Sequence, residues 1–336
     1  MTKHILITGV AGFLGSHLAD ALLARGHRVT GVDNLSMGSL ANIAHNIDHP
    51  RFRFHQLDIL DLAAFEAVAG DIDVVIHMAA FKIPRYGHRL DTLQINSRGT
   101  EYALEVARRA GAKFVFASTS DVYGNNPHVP FNEEDPIVLG SSAVARWAYA
   151  ASKLYDEHLC WGYQEKYDIP CTVIRIFGSY GPRHHLSWWG GPQSVFIDQL
   201  LKNEPITLHG DGLQTRSFTF VEDTVSGFVA AAERAEANGE LFNVGDDREI
   251  AIVDLARLLH ELMGRPGEPE LLFIPYDQIA GGRRYEDVRR RVPDNRKARR
   301  LLGFDPQVSL EEGLTRTLTW QYQVRRQQRQ LLSIPS

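Results

Sequence analysis

Residues 7–18 read ITGVAGFLGSHL, an apolar run that breaks at Gly9, with glycine again at positions 12 and 15 before an amphipathic stretch. Upstream, HILITG (4–9) has the continuous apolar character of a strand buried on both faces. Downstream, FLGSHLADALLARG (13–26) repeats apolar residues at helical spacing and ends at Gly26, a suitable residue to close a helix. HRVTGVD (27–33) comes next as a second strand. Strand, glycine-rich turn, helix and strand make a βαβ unit. Its glycines let the backbone approach a pyrophosphate, and the helix N-terminus supplies amide donors and a favourable dipole. The second strand ends at Asp33, where an acid bonds the ribose hydroxyls of a dinucleotide and repels a 2′-phosphate. NAD is therefore the expected cofactor, seated on Gly9, Gly12, Phe13, Leu14 and Gly15.

The same alternation continues through residue 178. FRFHQLDI (52–59), DVVIHMAA (73–80), KFVFAST (113–119) and CTVIRIF (171–177) read as further strands separated by helical segments. The expectation is an α/β fold, a Rossmann-type doubly wound parallel sheet with a smaller C-terminal substrate-binding lobe. Residues 1–178 form the NAD-binding domain, with 215–245 returning to it, and 179–214 and 246–325 form the lobe. GSYGPRHHLSWWGGPQ (178–193) reads as a long loop. Helices are expected at 192–202, 222–236, 251–264 and 309–325, and a frayed tail at 326–336.

The chain has 336 residues, 44% hydrophobic and 23% charged, with a formal net charge of -5, the composition of an ordinary globular protein. The charge gives no broad reason to bind nucleic acid or an anionic membrane. No apolar run reaches the ~18 residues of a spanning helix. Cys160 and Cys171 have no metal-ligand spacing, so no metal is expected, and with no recognisable secretory signal the cytoplasm is the expected compartment.

In WAYAASK (147–153), Tyr149 and Lys153 stand four residues apart, on one face of a predicted helix. An ammonium there stabilises phenolate and lowers the tyrosine toward the range of a general base. Such a base takes a proton from a sugar hydroxyl as hydride leaves the same carbon. Thr119, in STSDVYG (118–124) at the end of the fifth strand, is placed to bond that hydroxyl.

Together the glycine turn, the hydroxyl-rich strand end and the YxxxK pair resemble the extended short-chain dehydrogenase/reductase superfamily, over almost the whole chain. VDNLSMGSLANI (32–43) looks like the adenosine-binding turn of nucleotide-sugar epimerases and decarboxylases, with Asp33 and Asn34 at matching positions. By that resemblance Asp58 and Ile59 face adenine, while Ala79, Ala80 and Asn96 line the cofactor cleft with Tyr149 and Lys153. HGDGLQTRSFTFVED (209–223) resembles the segment near the substrate pyrophosphate, which implies phosphate roles for Arg216 and, in RRRVPD, Arg291. Arg289 and Arg290 are expected at the surface. Lys82, Arg85 and Ser120 complete the implied substrate set.

The family oxidises sugar C4 to a ketone, and its members differ in the fate of that ketone. UDP-sugar 4-epimerisation is the main expectation, and the alternatives are UDP-glucuronate decarboxylation and then 4,6-dehydration. Phe81-Lys82 resembles epimerases, and EDVRRRVPDNRKARRLLGFDP resembles the decarboxylases' C-terminal arginine segment. Asp121 stands where decarboxylases and dehydratases carry Glu, so it either moves a second proton or caps a turn. Gly178 replaces an Asn that contacts substrate in most members. His184, His185, Trp188 and Trp189 are either a sugar lid or a solvated loop. A homodimer through helices at 91–110 and 148–166 is implied, and a non-enzymatic NAD-sensing module is the reading from another class.

Overall fold

A computed structural model describes residues 2–82, 88–279 and 284–332, the last six by backbone alone. The chain runs β1 (His4–Thr8), α1 (Phe13–Ala24), β2 (Arg28–Asp33), β3 (Phe52–Gln56), α2 (Leu62–Ala69), β4 (Val74–His77), α3 (Arg89–Ala110), β5 (Lys113–Thr119), α4 (Trp147–Tyr167) and β6 (Cys171–Ile176). Next come β7 (Ser179–Tyr180), α5 (Pro192–Lys202), β8 (Ile206–His209), β9 (Thr215–Ser217), β10 (Thr219–Phe220), α6 (Val221–Glu233) and β11 (Glu240–Val244). Last are β12 (Glu249–Ala251), α7 (Ile252–Leu262), β13 (Leu271–Ile274), α8 (Tyr276–Ile279), β14 (Arg290–Arg291), α9 (Arg296–Leu302) and α10 (Leu310–Leu332).

Seven strands form one sheet in the order β11-β6-β5-β4-β1-β2-β3, every pair parallel. Ile5, Leu6, Ile7, Val75, Ile76, Phe114, Val115 and Phe116 are fully buried, because helices cover both faces of an all-parallel sheet. The strand order reverses between β1 and β4, which opens a crevice at the C-terminal edge.

Several strands stop sooner than their apolar runs, for a local reason. The amides of Met78 and Ala79 each donate to the Thr8 hydroxyl at 3.1 Å, which peels the chain off β4. After β3, the Asp58 carboxylate accepts from Leu60 N at 2.9 Å and turns the backbone. The seventh strand, β11, escaped the sequence reading because ELFNV is short and lies inside a mixed segment. The segment read as a loop from 178 contains β7, paired with β10, and a single 3-10 turn at Trp188–Gly190.

The C-terminal elements build small sheets beside the crevice. β13 pairs with β8, and β9 is flanked by β12 and β14. Behind the crevice, α3 and α4 pack together, and α4 lies on β5 and β6. A buried ion pair fixes α4 there: Arg175 on β6 grips Glu157 at 2.7 and 3.0 Å, and Ser118 Oγ donates to the same carboxylate at 2.5 Å. Removing one partner of such a pair costs about 3–5 kcal/mol, because the other charge is stranded in the core.

Candidate active site

The C-terminal ends of the central strands and the small sheets enclose a cleft of about 900 Å³. Its floor is the glycine turn. Helix α1 starts at Gly12 with no side-chain cap, so its first amides are free to meet an anion. A side chain at Gly15 would overlap the Gly9 carbonyl, so glycine is what lets α1 start this close to β1. Asp33 accepts one amide bond on each oxygen, from Ala11 at 3.0 Å and Leu35 at 2.8 Å. A carboxylate has about four acceptor sites, so two remain for ribose hydroxyls. Burial pushes its carboxyl up and the two amides oppose that shift. Asn34 donates to Asp58 at 3.0 Å, which joins two residues expected from the sequence to face the adenosine, and Ile59, Ala79 and Ala80 also line the cleft. This cradle fits NAD.

Asn96 does not fulfil its implied role. It is buried away from the cleft, bonded to the Phe81 amide at 2.7 Å, the Phe81 carbonyl at 3.2 Å and the Ser152 hydroxyl at 3.0 Å. It holds the turn after β4 against α4 and shapes the cleft at one remove. Arg85 lies outside the described residues.

Thr119, Ser120, Asp121, Tyr149 and Lys153 share one wall. Thr119 Oγ1 accepts from the Asp121 amide at 3.2 Å, so the threonine is what caps the turn. Lys153 is buried, donates to the Ala117 carbonyl at 2.9 Å and lies 4.4 Å from the centre of the Phe116 ring. Burial drives its ammonium down, against the carboxylates of Asp156 and Glu157. The phenol of Tyr149 goes the other way from the sequence expectation: burial first, then the Asp121 and Asp156 carboxylates, push it up. The ammonium one turn away does not outweigh them.

Asp121 is part of an ion cluster. Arg291 holds its Oδ1, and Arg146 approaches the same atom at 3.3 Å. Arg146 also reaches Asp287 at 2.7 Å, and Arg216 bonds that carboxylate at 3.0 Å. Among the described residues, three guanidiniums face two carboxylates, one positive charge in excess. Burial drives Arg216 down to about 10, while the carboxylates raise Arg146 despite its burial. For Asp287, burial is outweighed by Arg216 and Arg146, and its carboxyl lies well below the usual range. Arg289 and Arg290 pair with Asp211 and Glu249 at the surface, as expected. Arg146 and Asp287 were missed by the sequence reading. The available signal for Arg146 was its place three residues before Tyr149.

The far wall is the 183–190 loop. His184 packs on Phe13 with ring centres 4.0 Å apart, Trp188 stacks on His209 at 4.4 Å, and Trp189 meets the edge of Phe81 at 6.1 Å. Burial holds the His184 imidazole neutral, far below its usual range. The paired histidines are therefore not a solvated loop: His184 is built into the wall, and only His185 faces outward. Lys82 lines the same side. At Gly178 φ is +47° and a side chain would overlap the Ser217 carbonyl, so no Asn can replace it without moving β9.

A sequence model of the NAD dependent epimerase/dehydratase family matches residues 5–245. A UDP-N-acetyl-alpha-D-glucosaminuronate decarboxylase of Bacillus cytotoxicus is 35% identical, over 95% of this chain and 98% of the relative. A UDP-glucose 4-epimerase of Mycolicibacterium smegmatis is 36% identical, over 93% and 96%. A UDP-glucuronic acid 4-epimerase of Bacillus cereus, solved with UDP-glucuronic acid and NAD, superposes with a TM-score of 0.84 at 32% identity, over 96% and 99%.

Proposed function

The chain belongs to the NAD dependent epimerase/dehydratase family, and from that premise we propose that it is a UDP-sugar 4-epimerase working through a transient 4-keto sugar. One observation carries the reading: the dinucleotide cradle, Thr119, Tyr149 and Lys153 all face one cleft. NAD, held by the glycine turn and Asp33, would supply the hydride acceptor for this oxidation. Tyr149 takes the C4 hydroxyl proton, Thr119 bonds the same oxygen, and Lys153 offers the positive charge that favours the phenolate. Tyr149 then holds the proton until the ketone is reduced from its other face. Arg216 and Arg291 bind the diphosphate, where their planar guanidiniums match its oxygens.

A second reading, decarboxylation of a UDP-uronate, is favoured by the Asp121–Arg146–Arg291 cluster with its surplus cation. There the C4 ketone accepts the electron pair left as carbon dioxide departs, and a proton returns to C5. Asp121 is the group that handles it. Incubation with UDP-glucose, UDP-N-acetylglucosamine and UDP-glucuronate, with products read by NMR and carbon dioxide detection, tests both. An axial C4 product of unchanged mass supports epimerisation, and stoichiometric carbon dioxide overturns it in favour of the second reading. Tyr149→Phe should abolish either turnover while leaving NAD bound.

The outer faces of α3 and α4 expose Leu90, Leu93 and Tyr155, which supports a homodimer through these helices, testable by sedimentation. Cys160 and Cys171 are both free thiols, in keeping with a reducing cytoplasm.

A further inference from the structure

Tyr149, Lys153 and Asp156 recur at i, i+4 and i+7 along α4, one stripe of a single helix. Asp156 is fully buried, and neither carboxylate oxygen has a hydrogen-bond partner. From α3 it is faced by the Thr100 hydroxyl, which draws the Asp156 carboxyl downward although the two groups stand outside direct hydrogen-bonding geometry. Within α4 its charged or titratable neighbours are Lys153, Glu157 and Cys160. Glu157 is already neutralised by Arg175 on β6, and Cys171 on β6 and His77 on β4 are buried and uncharged. Lys153 is therefore the cation that Asp156 answers to. A buried carboxyl with so little hydrogen bonding is a cost to folding.

We propose that Asp156 is a positioning residue of the reactive stripe, whose negative charge behind Lys153 sets how tightly Tyr149 holds its proton. This rests on Tyr149 being the base. Burial, opposed by Lys153, pushes the Asp156 carboxyl up to about 7, so both of its forms are populated near neutral pH. Its carboxylate repels a phenolate two turns away, and its neutral form does not. Seven residues of helix span roughly 10 Å. At an effective dielectric constant of ~20, one charge at that distance moves a partner's titration by roughly one pH unit.

The test is Asp156→Asn, which keeps the shape and removes the charge. Tyrosinate absorbance is titrated against a Tyr149→Phe reference to isolate the Tyr149 phenol, and the pH profile of kcat is recorded with the sugar-nucleotide substrate. Both midpoints should fall by up to about one pH unit, the gain in rate reaching about tenfold above pH 7, where Asp156 is ionised, and vanishing below it, with bound NAD unchanged. Asp156→Glu should return them toward the original values, and Asp156→Leu should repeat the fall if Asn disturbs the fold. Midpoints that stay put or rise overturn the proposal. Should Tyr149→Phe itself retain turnover, the base assignment fails first, and the two failures are told apart.

Discussion

Asp287→Asn isolates what holds the arginine cluster together. The carboxylate takes bonds from Arg146 at 2.7 Å, Arg216 at 3.0 Å and its neighbour's amide, Val288 N, at 2.9 Å, in a buried setting. Asparagine keeps the shape, removes the charge and leaves three guanidiniums facing Asp121 alone. Breaking a buried pair costs about 3–5 kcal/mol. With unfolding entropy of about 2.1 cal/mol/K per residue over a chain of this length, that is a fall in Tm of roughly 4–7 °C. Because the Asp287 carboxyl lies well below the usual range, its stabilising effect is present above the unfolded value near 3.8 and lost only as pH falls below it. The gap between variant and parent should therefore stay level from pH 7 to pH 4 and close at lower pH. The variant's doubled positive excess also calls for an anion, so saturating UDP should raise its Tm by more than it raises the parent's. Thermal melts with and without UDP across this range read all three effects. A variant melting within 1 °C of the parent at pH 7, or gaining no more from UDP, would refute the reasoning.

Gly178→Asn should cost about 1–3 kcal/mol and reduce soluble yield, because the side chain meets the Ser217 carbonyl at a positive φ; a variant as stable as the parent removes this account. Glu233 is held down to about 2, first by hydrogen bonds from Arg25 and then against burial, with His27 adding to the effect. Its stabilising effect is complete above the unfolded value near 4.5 and disappears as pH falls toward 2. Since Arg25 is half exposed, Glu233→Gln should cost only about 1 kcal/mol at pH 7 in urea melts and a small fraction of that by pH 2. Asp33→Ala should weaken retention of NAD about tenfold or more and narrow the preference for NAD over NADP, measured on protein stripped of cofactor and reloaded; unchanged retention contradicts the ribose assignment.

The central sheet was readable because an all-parallel sheet leaves long apolar runs, and β5 and α5 fall where their patterns end. The glycine turn and Asp33 were readable because their spacing is imposed by a rigid ligand. What sequence could not supply was pairing across distance. Asp121 and Arg291 meet although 170 residues separate them, and Arg146 and Asp287 meet across 141. Arg146 has only its place three residues before Tyr149 as a signal, and Asp287 has none. Asn96 shows the converse: a motif residue whose side chain makes three bonds to Phe81 and Ser152 behind the cleft. Composition also could not distinguish a solvated pair of histidines from one ring packed against Phe13.

The 183–190 loop is moored to α1 at three points: Arg183 pairs with Asp20 at 2.7 Å, His17 bonds the Pro182 carbonyl at 3.0 Å, and His184 rests on Phe13. The far wall of the cleft and the helix that follows the glycine turn are thus one cassette. Any exchange of this loop for a relative's, made to alter sugar choice, has to carry residues 13, 17 and 20 with it. Conversely, substitutions at His17 or Asp20, on the face of α1 that meets this loop, should shift that wall of the cleft although neither residue lines the cleft itself.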